Sequence, residues 1–313
     1  MLRRNLILIH RGPEYTGDFD EIAVKVNARD PLITVYHMPP NYAGDLPAGA
    51  WDQPTLTVAL LPRFRFKVRR GPVLMNKPMS KLDQQEVFRQ NRIPFPPALP
   101  FRFGMKLDPI LFGDFVLLKP ADLRLTSRDN GTIVLRRKRA EAVTPDDFPP
   151  THPLRASAQG CIVQRFIHTG EYPSCYRATT FMGEVLSLEL FEAKRASPPL
   201  SAPDSEIERG AFAPKTNRHF SFVEDEDVLQ LARHVAACFP GLPLLGIDIL
   251  RDTAGRLYAL ETNGGGNTWH FSSKNWAEHR RTNPEYYQYM RTQFGAFDIA
   301  AERLCEAVHT LAS

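Results

Sequence analysis

The sequence predicts an α/β fold in which a small N-terminal α/β lobe precedes a larger α+β region. In the first 80 residues, strand-like apolar runs at 6–9, 32–37 and 56–61 alternate with helix-like stretches, one of them at 19–26. This order is typical of parallel strands joined by helical crossovers. After residue 110, strand-like runs follow one another through short turns, as in antiparallel hairpins. A chain of 313 residues is long enough to hold more than one such unit.

The composition is that of a soluble globular protein, with 43% hydrophobic and 24% charged residues. A net charge of +4 and a pI of about 8.9 are too small an excess for a protein that coats nucleic acid, but they suit an enzyme that handles phosphates or carboxylates. The apolar run at 6–9 is too short for a signal peptide or a membrane span. The four cysteines form no CxxC pair, so we expect a reduced, cytoplasmic protein without membrane contact.

A helix is predicted to begin at Ser80, where Asp83 completes a helix-start pattern, and to stop before Pro94. The proline-rich stretch that follows indicates an extended connector. A strand at 114–120 is then expected to pair, through a turn near 128–131, with a second strand.

The C-terminal half is predicted to be mainly antiparallel. Residues 194–218 are expected to form a long loop, a length typical of an active-site lid. The other predicted elements are a strand at 161–167, a hairpin of 176–181 with 184–193, a helix at 224–239, a hairpin of 244–250 with 257–263, and a closing helix at 297–311.

The last hairpin carries a candidate metal site. Side chains alternate along a strand, so Glu261 and Asn263 point the same way, about 7 Å apart. Asp248 lies on the preceding strand between two isoleucines, where an unpaired carboxylate is costly. Two carboxylates and an amide oxygen are hard ligands suited to Mg²⁺, and no histidine or cysteine on this face favours zinc.

The register of this hairpin decides whether these side chains meet. A plain four-residue turn at 252–255 would pair Asp248 with residue 259, on the face of Glu261, whereas a bulge at Gly255 would shift the pairing by one. The alternative to a metal site is a set of solvated polar residues on an edge hairpin.

The order of these parts resembles that of the ATP-grasp superfamily. The resemblance rests on Lys81 at a helix start, Lys119 at a strand end, the segment QRFIHTGE, Arg177 on the next strand, and the hairpin GIDILRDTAGRLYALETN. In that hairpin, 13 positions separate the aspartate from the glutamate and two more lead to the asparagine, which is the spacing of the family's magnesium triad. The match covers about residues 75–271, with a weaker likeness of the N-terminal lobe to the family's preceding domain.

The resemblance implies an α+β ATP-grasp fold with two lobes that clasp ATP after a pre-ATP-grasp domain. The corresponding boundaries are 1–80 for the N-terminal domain, 81–163 for the central lobe with the lysine strand, and 164–313 for the C-terminal lobe with the metal-binding hairpin.

The resemblance also implies a role for each matched residue. Lys81 and Lys119 would neutralise the phosphates, and Arg177 would contact the γ-phosphate. The other implied contacts are the adenine edge (Gln164, Arg165, Phe166 and Ile167), the ribose hydroxyls (Glu171) and Mg²⁺ (Asp248, Glu261 and Asn263). From the residues alone, solvated surface positions are the alternative for both lysines and for Arg177.

Candidates for the substrate side lie in two further stretches. The long loop carries polar and charged residues that suit an acidic substrate, although such residues are commonly just solvated: Lys194, Arg195, Lys215, Asn217 and Arg218. The glycines at 264–266 are expected to let the backbone pass close to the metal site. Asn267, Trp269 and His270 follow them, and His270 is a candidate general base for an amine, although a lone histidine is more often structural.

The leading functional hypothesis is an ADP-forming ligase that uses ATP and Mg²⁺. It would activate a small-molecule or peptide carboxylate as an acyl phosphate and join it to an amine. The family's glycine- and serine-rich flap is replaced here by ADLRLTSRDNG, so an ATP-binding module without ligase activity is one alternative. A homo-oligomer is compatible with the sequence, which leaves the oligomeric state open.

Another alternative is binding of single-stranded nucleic acid by residues 62–71, in which aromatic and basic residues alternate. The favoured interpretation of this stretch is a half-buried strand with Phe64 and Phe66 turned inward, so no nucleic-acid partner is expected.

Overall fold

The computed structural model of the chain describes residues 2–12, 15–121, 131–156, 160–210, 212, 217–264 and 269–313. The predicted α/β class is confirmed, because these residues form one parallel sheet, two antiparallel sheets and helices that pack on them.

The N-terminal sheet is parallel, as predicted, with strand order β2-β1-β3-β4. Its elements are β1 (Arg4–Ile9), α1 (Thr16–Arg29), β2 (Ile33–Met38), β3 (Thr55–Ala59) and β4 (Val73–Met75).

The strand β1 is buried on both faces, which explains its unbroken apolar sequence. Leu6 and Leu8 pack with α1, while Ile7 and Ile9 pack with Phe66 from the segment 62–71. This segment forms no strand, contrary to the prediction, and instead runs as irregular backbone over the sheet. The inward position predicted for the Phe66 ring is confirmed, so this ring is not available for base stacking.

The middle of the chain forms an antiparallel sheet with order β5-β8-β6-β7. The helix α2 begins as predicted, because the Ser80 hydroxyl accepts a hydrogen bond from the Asp83 N–H at 3.1 Å. The elements are α2 (Lys81–Gln90), β5 (Ala98–Phe101), α3 (Pro109–Phe112), β6 (Phe115–Pro120), β7 (Ile133–Arg136), α4 (Arg137–Ala142), α5 (Pro153–Ala156) and β8 (Cys161–Arg165).

The C-terminal part forms a five-stranded antiparallel sheet with order β11-β10-β9-β12-β13. Its elements are β9 (Ser174–Phe181), β10 (Glu184–Ala193), α6 (Asp204–Arg209), β11 (Arg218–Phe222), α7 (Glu226–Ala237), β12 (Leu244–Arg251), β13 (Leu257–Asn263), α8 (Lys274–Thr282), α9 (Pro284–Thr292) and α10 (Ala296–Leu311).

One face of this sheet is an apolar core and the other carries charged residues. Ala178, Leu188, Ile247 and Ala259 pack in one cluster with α7 and with Phe88 of α2. Strand alternation sends the residues between them to the opposite face. The functional side chains described below lie on that opposite face.

The C-terminal half also differs from the predicted elements, in the long loop and before the last helix. The long loop after β10 contains the short helix α6, and its end pairs with β10 as β11. The helices α8 and α9 were not predicted, because their sequence is mostly polar; buried Trp276 and Met290 are their main core contacts.

Two helices connect the sheets. The C-terminal helix α10 packs on α1, β1 and β3 of the N-terminal part and on β10 of the C-terminal sheet, and α2 packs on β13 and β5. Because these helices link the sheets, the domain boundaries predicted at residues 80 and 163 stay predictions. In the described part of the chain, no helix has the length and apolarity needed to cross a membrane.

Candidate functional site

Four adjacent strands of the C-terminal sheet carry charged residues in a single row. Glu189 of β10 lies opposite Arg177 of β9, Arg177 lies opposite Asp248 of β12, and Asp248 lies opposite Glu261 of β13. Directly opposed residues share a face, with Cβ atoms about 4.5–5.5 Å apart. The sheet thus brings Asp248, Glu261 and Arg177 together, and adds Glu189, which was not predicted.

A β-bulge in β13 gives Glu261 its direction. Ile249 pairs with Ala259, but Asp248 pairs with Glu261, so Leu260 is the extra residue. In a regular strand Glu261 would share the face of Ala259, which is buried against α7. The bulge turns Glu261 and Asn263 to the face of Asp248.

Neither register considered from the sequence holds over the whole hairpin. Next to the turn the pairs are shifted by one from those of a plain four-residue turn, so that Ile249 pairs with Ala259, and a second shift beside Leu260 pairs Asp248 with Glu261. Gly255 lies in the turn, where its N–H bonds to the Asp252 carbonyl and its φ is 82°.

Arg177 and Asp248 form a bidentate ion pair. Nε and one terminal nitrogen of the guanidinium donate to the two carboxylate oxygens, each at 2.7 Å. The charge of Asp248 raises the pKa of Arg177 further above its ordinary value. The Arg177 side chain is 25% exposed and that of Asp248 only 9%, so a ligand reaches the guanidinium more easily than the carboxylate.

Lys81 and Glu261 form the second ion pair of the site, with Nζ and Oε2 3.0 Å apart. Burial alone would raise the pKa of Glu261, yet the charges of Lys81 and Lys119 hold that pKa below its ordinary value. Glu261 is therefore ionised, as a metal ligand must be.

Lys119 is buried near these groups at the end of β6. Its Nζ donates a 2.6 Å hydrogen bond to Oε1 of Gln164, whose own amide nitrogen donates to the Pro96 carbonyl. Burial, and then the charge of Lys81, lower the pKa of Lys119 to about 7. The side chain of Gln164 thus holds the lysine, a role that was not predicted.

Gln84 fixes the helix that carries Lys81. Its amide nitrogen donates to the Thr262 carbonyl at 3.0 Å, and its amide oxygen accepts from the Thr262 N–H at 2.7 Å. Because β13 is an edge strand, this side chain replaces a neighbouring strand. Gln85 accepts from the Ala98 N–H and so ties α2 to β5 as well. In the sequence, the feature that could have indicated these two contacts is the pair of glutamines one helical turn after the candidate site residue Lys81.

Gly264 lies where the end of β13 passes close to another part of the backbone. A Cβ at this position would lie 2.8 Å from the carbonyl oxygen of Lys77. The glycine therefore permits a close approach of the strand end to the segment before α2. The other two glycines and Asn267, as well as the flap residues 122–130 and Lys215, lie outside the described residues.

Asn263 lies opposite Gly246, two residues beyond Glu261 along β13 and next to the charged row. Strand alternation after the bulge gives Asn263 the same face as Glu261. The triad of Asp248, Glu261 and Asn263 thus shares one face, as the predicted metal site requires.

The segment after β8 holds the residues predicted to contact adenine and ribose. The N–H groups of Arg165 and Phe166 bond to the carbonyls of Pro97 and Phe115, and so are already used within the protein. Glu171 is exposed, and its carbonyl accepts two hydrogen bonds from Ser197. The roles of these residues, and of Ile167, stay predictions.

Asn217 and His270 are positioned by contacts outside the charged row. The Asn217 carbonyl accepts from the Lys194 N–H, which closes the base of the long loop. The His270 carbonyl accepts from the N–H and the hydroxyl of Ser273, next to the buried ring of Trp269. Their catalytic roles stay predictions.

The donor set of the candidate metal site is chemically suited to Mg²⁺. Within the described ranges, no cluster of three or more His, Cys, Asp or Glu residues is arranged to hold a metal. Asp248 and Glu261 supply two carboxylates and Asn263 an amide, the hard oxygen donors that Mg²⁺ accepts alongside phosphate and water. Both carboxylates are now paired with cations, so a metal would require Arg177 and Lys81 to turn towards another anion.

Three solved structures resemble the chain over nearly its whole length. The ATP-grasp ligase PsnB with minimal precursor variant, Mg and ADP is 14% identical over 98% of this chain and 99% of its own, with a TM-score of 0.52. The D-cycloserine synthetase DcsG is 15% identical over 97% and 99%, with a TM-score of 0.51. The macrocyclase MdnC from Microcystis aeruginosa, bound to its precursor peptide, is 11% identical over 97% and 99%, with a TM-score of 0.50.

No family model and no curated protein sequence matches the chain. At these identities the structural likeness establishes the fold, so the chain has the ATP-grasp fold expected from its motifs.

Proposed function

We propose that the protein is a Mg²⁺- and ATP-dependent ligase that activates a carboxylate as an acyl phosphate and joins it to an amine with release of ADP and phosphate. The observation that carries this proposal is the charged row of the C-terminal sheet, in which Arg177 lies between Glu189 and Asp248, and Glu261 is paired with Lys81. The ATP-grasp fold supports it, since three similar structures include a ligase, a synthetase and a macrocyclase.

Lys81, Lys119 and Arg177 would bind the phosphates of ATP. Arg177 belongs to the charged row on β9, and Lys81 of α2 and Lys119 of β6 lie near Glu261 of that row. Phosphoryl transfer is catalysed mainly by positioning and by neutralising charge, and partly buried cations do this more effectively than solvated ones.

Asp248, Glu261 and Asn263 would hold Mg²⁺, which supplies further neutralisation of the β- and γ-phosphates when bound. The ammonium of Lys81 and the guanidinium of Arg177 lie next to these ligands, so the same cations that pair with the carboxylates in the free protein can pair with phosphate oxygens in the complex.

The reaction would proceed in two balanced steps. A substrate carboxylate oxygen bonds to the γ-phosphorus while the bond to ADP breaks. The amine nitrogen then bonds to the acyl carbon, the bond to phosphate breaks, and a proton leaves the nitrogen. Arg177 would stabilise the developing negative charge in both steps.

The substrates would be a carboxylate and an amine, either small or within a peptide. PsnB and MdnC are described with precursor peptides and DcsG as a D-cycloserine synthetase. We place Asn217 and His270 on the substrate side, the backbone of 164–167 at adenine, Glu171 at ribose, and the protein in the cytoplasm.

The test is Mg²⁺-dependent ATP turnover with a panel of carboxylates, using hydroxylamine to trap acyl phosphates. Asp248→Asn and Glu261→Gln are expected to lower turnover by about 100-fold or more. Glu192→Gln, an exposed acid on the same sheet, is the control and should keep full activity. Undiminished turnover in both site variants would refute the proposal, and ATP binding without any hydroxamate would indicate a binding module.

A further inference from the structure

Glu189 is a buried acid for which the proposed reaction has no use. Only 4% of the residue is exposed, and its Oε1 finds no hydrogen-bond partner among the described residues. Burial raises the pKa of Glu189 to about 7, although the charges of Arg177 and Arg218 oppose this. A buried carboxylate oxygen without a partner calls for an explanation, because leaving it so is unfavourable.

The position of Glu189 beside Arg177 suggests an explanation for this buried carboxylate. Arg177 lies on the strand between two acids, with Asp248 directly opposite on one side and Glu189 directly opposite on the other. The Cβ atoms of both acids are expected about 4.5–5.5 Å from that of Arg177. The guanidinium has five N–H donors, of which Asp248 receives two.

We propose that Glu189 is the alternative ion-pair partner of Arg177, which takes over the guanidinium when Asp248 turns to a divalent cation. This inference rests on the proposed function, since it requires that Asp248 binds the metal. It assigns Glu189 as a positioning residue that acts through Arg177 and does not touch substrate.

Charge balance in a partly buried site favours this exchange. Asp248 cannot offer both oxygens to Arg177 and also serve fully as a metal ligand. Until a phosphate reaches it, a guanidinium that has lost Asp248 would be poorly hydrated and unpaired, which is strongly unfavourable. With Glu189 on the other side, a small rotation of the guanidinium keeps it paired, and its exposed portion stays directed at the ligand.

A double-mutant cycle tests this without any metal. Asp248→Asn removes the charge that the metal would neutralise, so Arg177 should depend on Glu189 in that variant. Glu189→Gln alone should change the Tm little, because Asp248 still holds Arg177. The double variant should melt about 5–10 °C below the sum of the two single effects. Additive shifts would overturn the proposal.

Metal binding supplies the second readout. Mn²⁺ titrated into the ADP-loaded protein, followed by electron paramagnetic resonance, should bind Glu189→Gln about tenfold more weakly than wild type. Glu192→Gln, exposed on the same strand, should bind Mn²⁺ normally. Unchanged affinity in Glu189→Gln would refute the alternative partner, whereas no Mn²⁺ binding by wild type would overturn the proposed metal site and the exchange with it.

Discussion

The charge of Lys119 depends on what surrounds its ammonium group. The side chain is buried, hydrogen-bonded to Gln164, and close enough to Lys81 that burial and like charge lower its pKa to about 7. In the free protein it is therefore about half protonated near neutral pH. A phosphate group beside it would favour the charged form and raise its pKa.

Nucleotide binding should therefore be coupled to proton uptake by Lys119. Above the free-state pKa of about 7 the lysine is mostly neutral, so at pH 8 binding of ADP should take up close to one proton. Below about pH 6 the lysine is already charged and uptake should vanish. Affinity should correspondingly fall as the pH rises through 7.

Calorimetry in two buffers of different ionisation enthalpy measures this uptake. Lys119→Arg is the matched variant, because a guanidinium stays charged throughout this range. It should bind ADP at pH 8 without the lysine's proton uptake. Equal uptake in wild type and Lys119→Arg would show that another group titrates.

At the scale of elements, the site depends on how β13 is made and held. The bulge at Leu260 gives Glu261 its direction, and Gln84 of α2 satisfies the exposed edge of the strand at Thr262. The same helix carries Lys81 to Glu261. One side-chain amide thus couples the position of a phosphate-binding cation to that of a metal-binding carboxylate.

Gln84→Met should remove this connection at little cost in volume. The buried N–H and C=O of Thr262 would lose their partner, which should lower the free energy of unfolding by about 1–3 kcal/mol. Chemical denaturation measures the loss. Gln90→Met, on the exposed side of α2 where the side chain donates to Glu86, should stay within about 0.5 kcal/mol of wild type. Similar losses in both variants would contradict a specific role for Gln84.

In the whole molecule, the N-terminal sheet supports the strand that carries Asp248. Asn76, fully buried after β4, donates to the Leu244 carbonyl at 2.8 Å and accepts from the Leu244 N–H at 3.0 Å. Asp18 of α1 likewise accepts from Trp269 and from Arg291. The site is therefore braced by contacts between distant parts of the chain.

Asn76→Ala should loosen the start of β12. The backbone groups of Leu244 would be left buried without partners, with an expected loss of about 2–4 kcal/mol in the free energy of unfolding. Nucleotide affinity should fall as well, because Asp248 lies on the same strand. Asn91→Ala, at the exposed end of α2, is the control. A normal affinity for ADP in Asn76→Ala would show that β12 is held without this contact.

Much of the molecule follows from local sequence signals. Alternation marks the strands, the Ser80–Asp83 pair starts α2, and the stripe of apolar residues marks α7. The motif spacing around Asp248, Glu261 and Asn263 predicted the ATP-grasp fold that the structure has. These signals can be recognised in the sequence because each depends on residues that are neighbours along the chain.

Only the tertiary structure decided how the candidate site is assembled. The bulge, the pairing of Arg177 with Asp248, and the clasp of Gln84 on Thr262, which are 178 positions apart, depend on contacts between remote segments. Burial then sets the charge of Lys119 and leaves Glu189 without a partner for Oε1 among the described residues. The sequence by itself determined the fold and named the metal-binding candidates, while packing decided which cation faces which acid, because desolvation and ion pairing act only between groups that folding brings together.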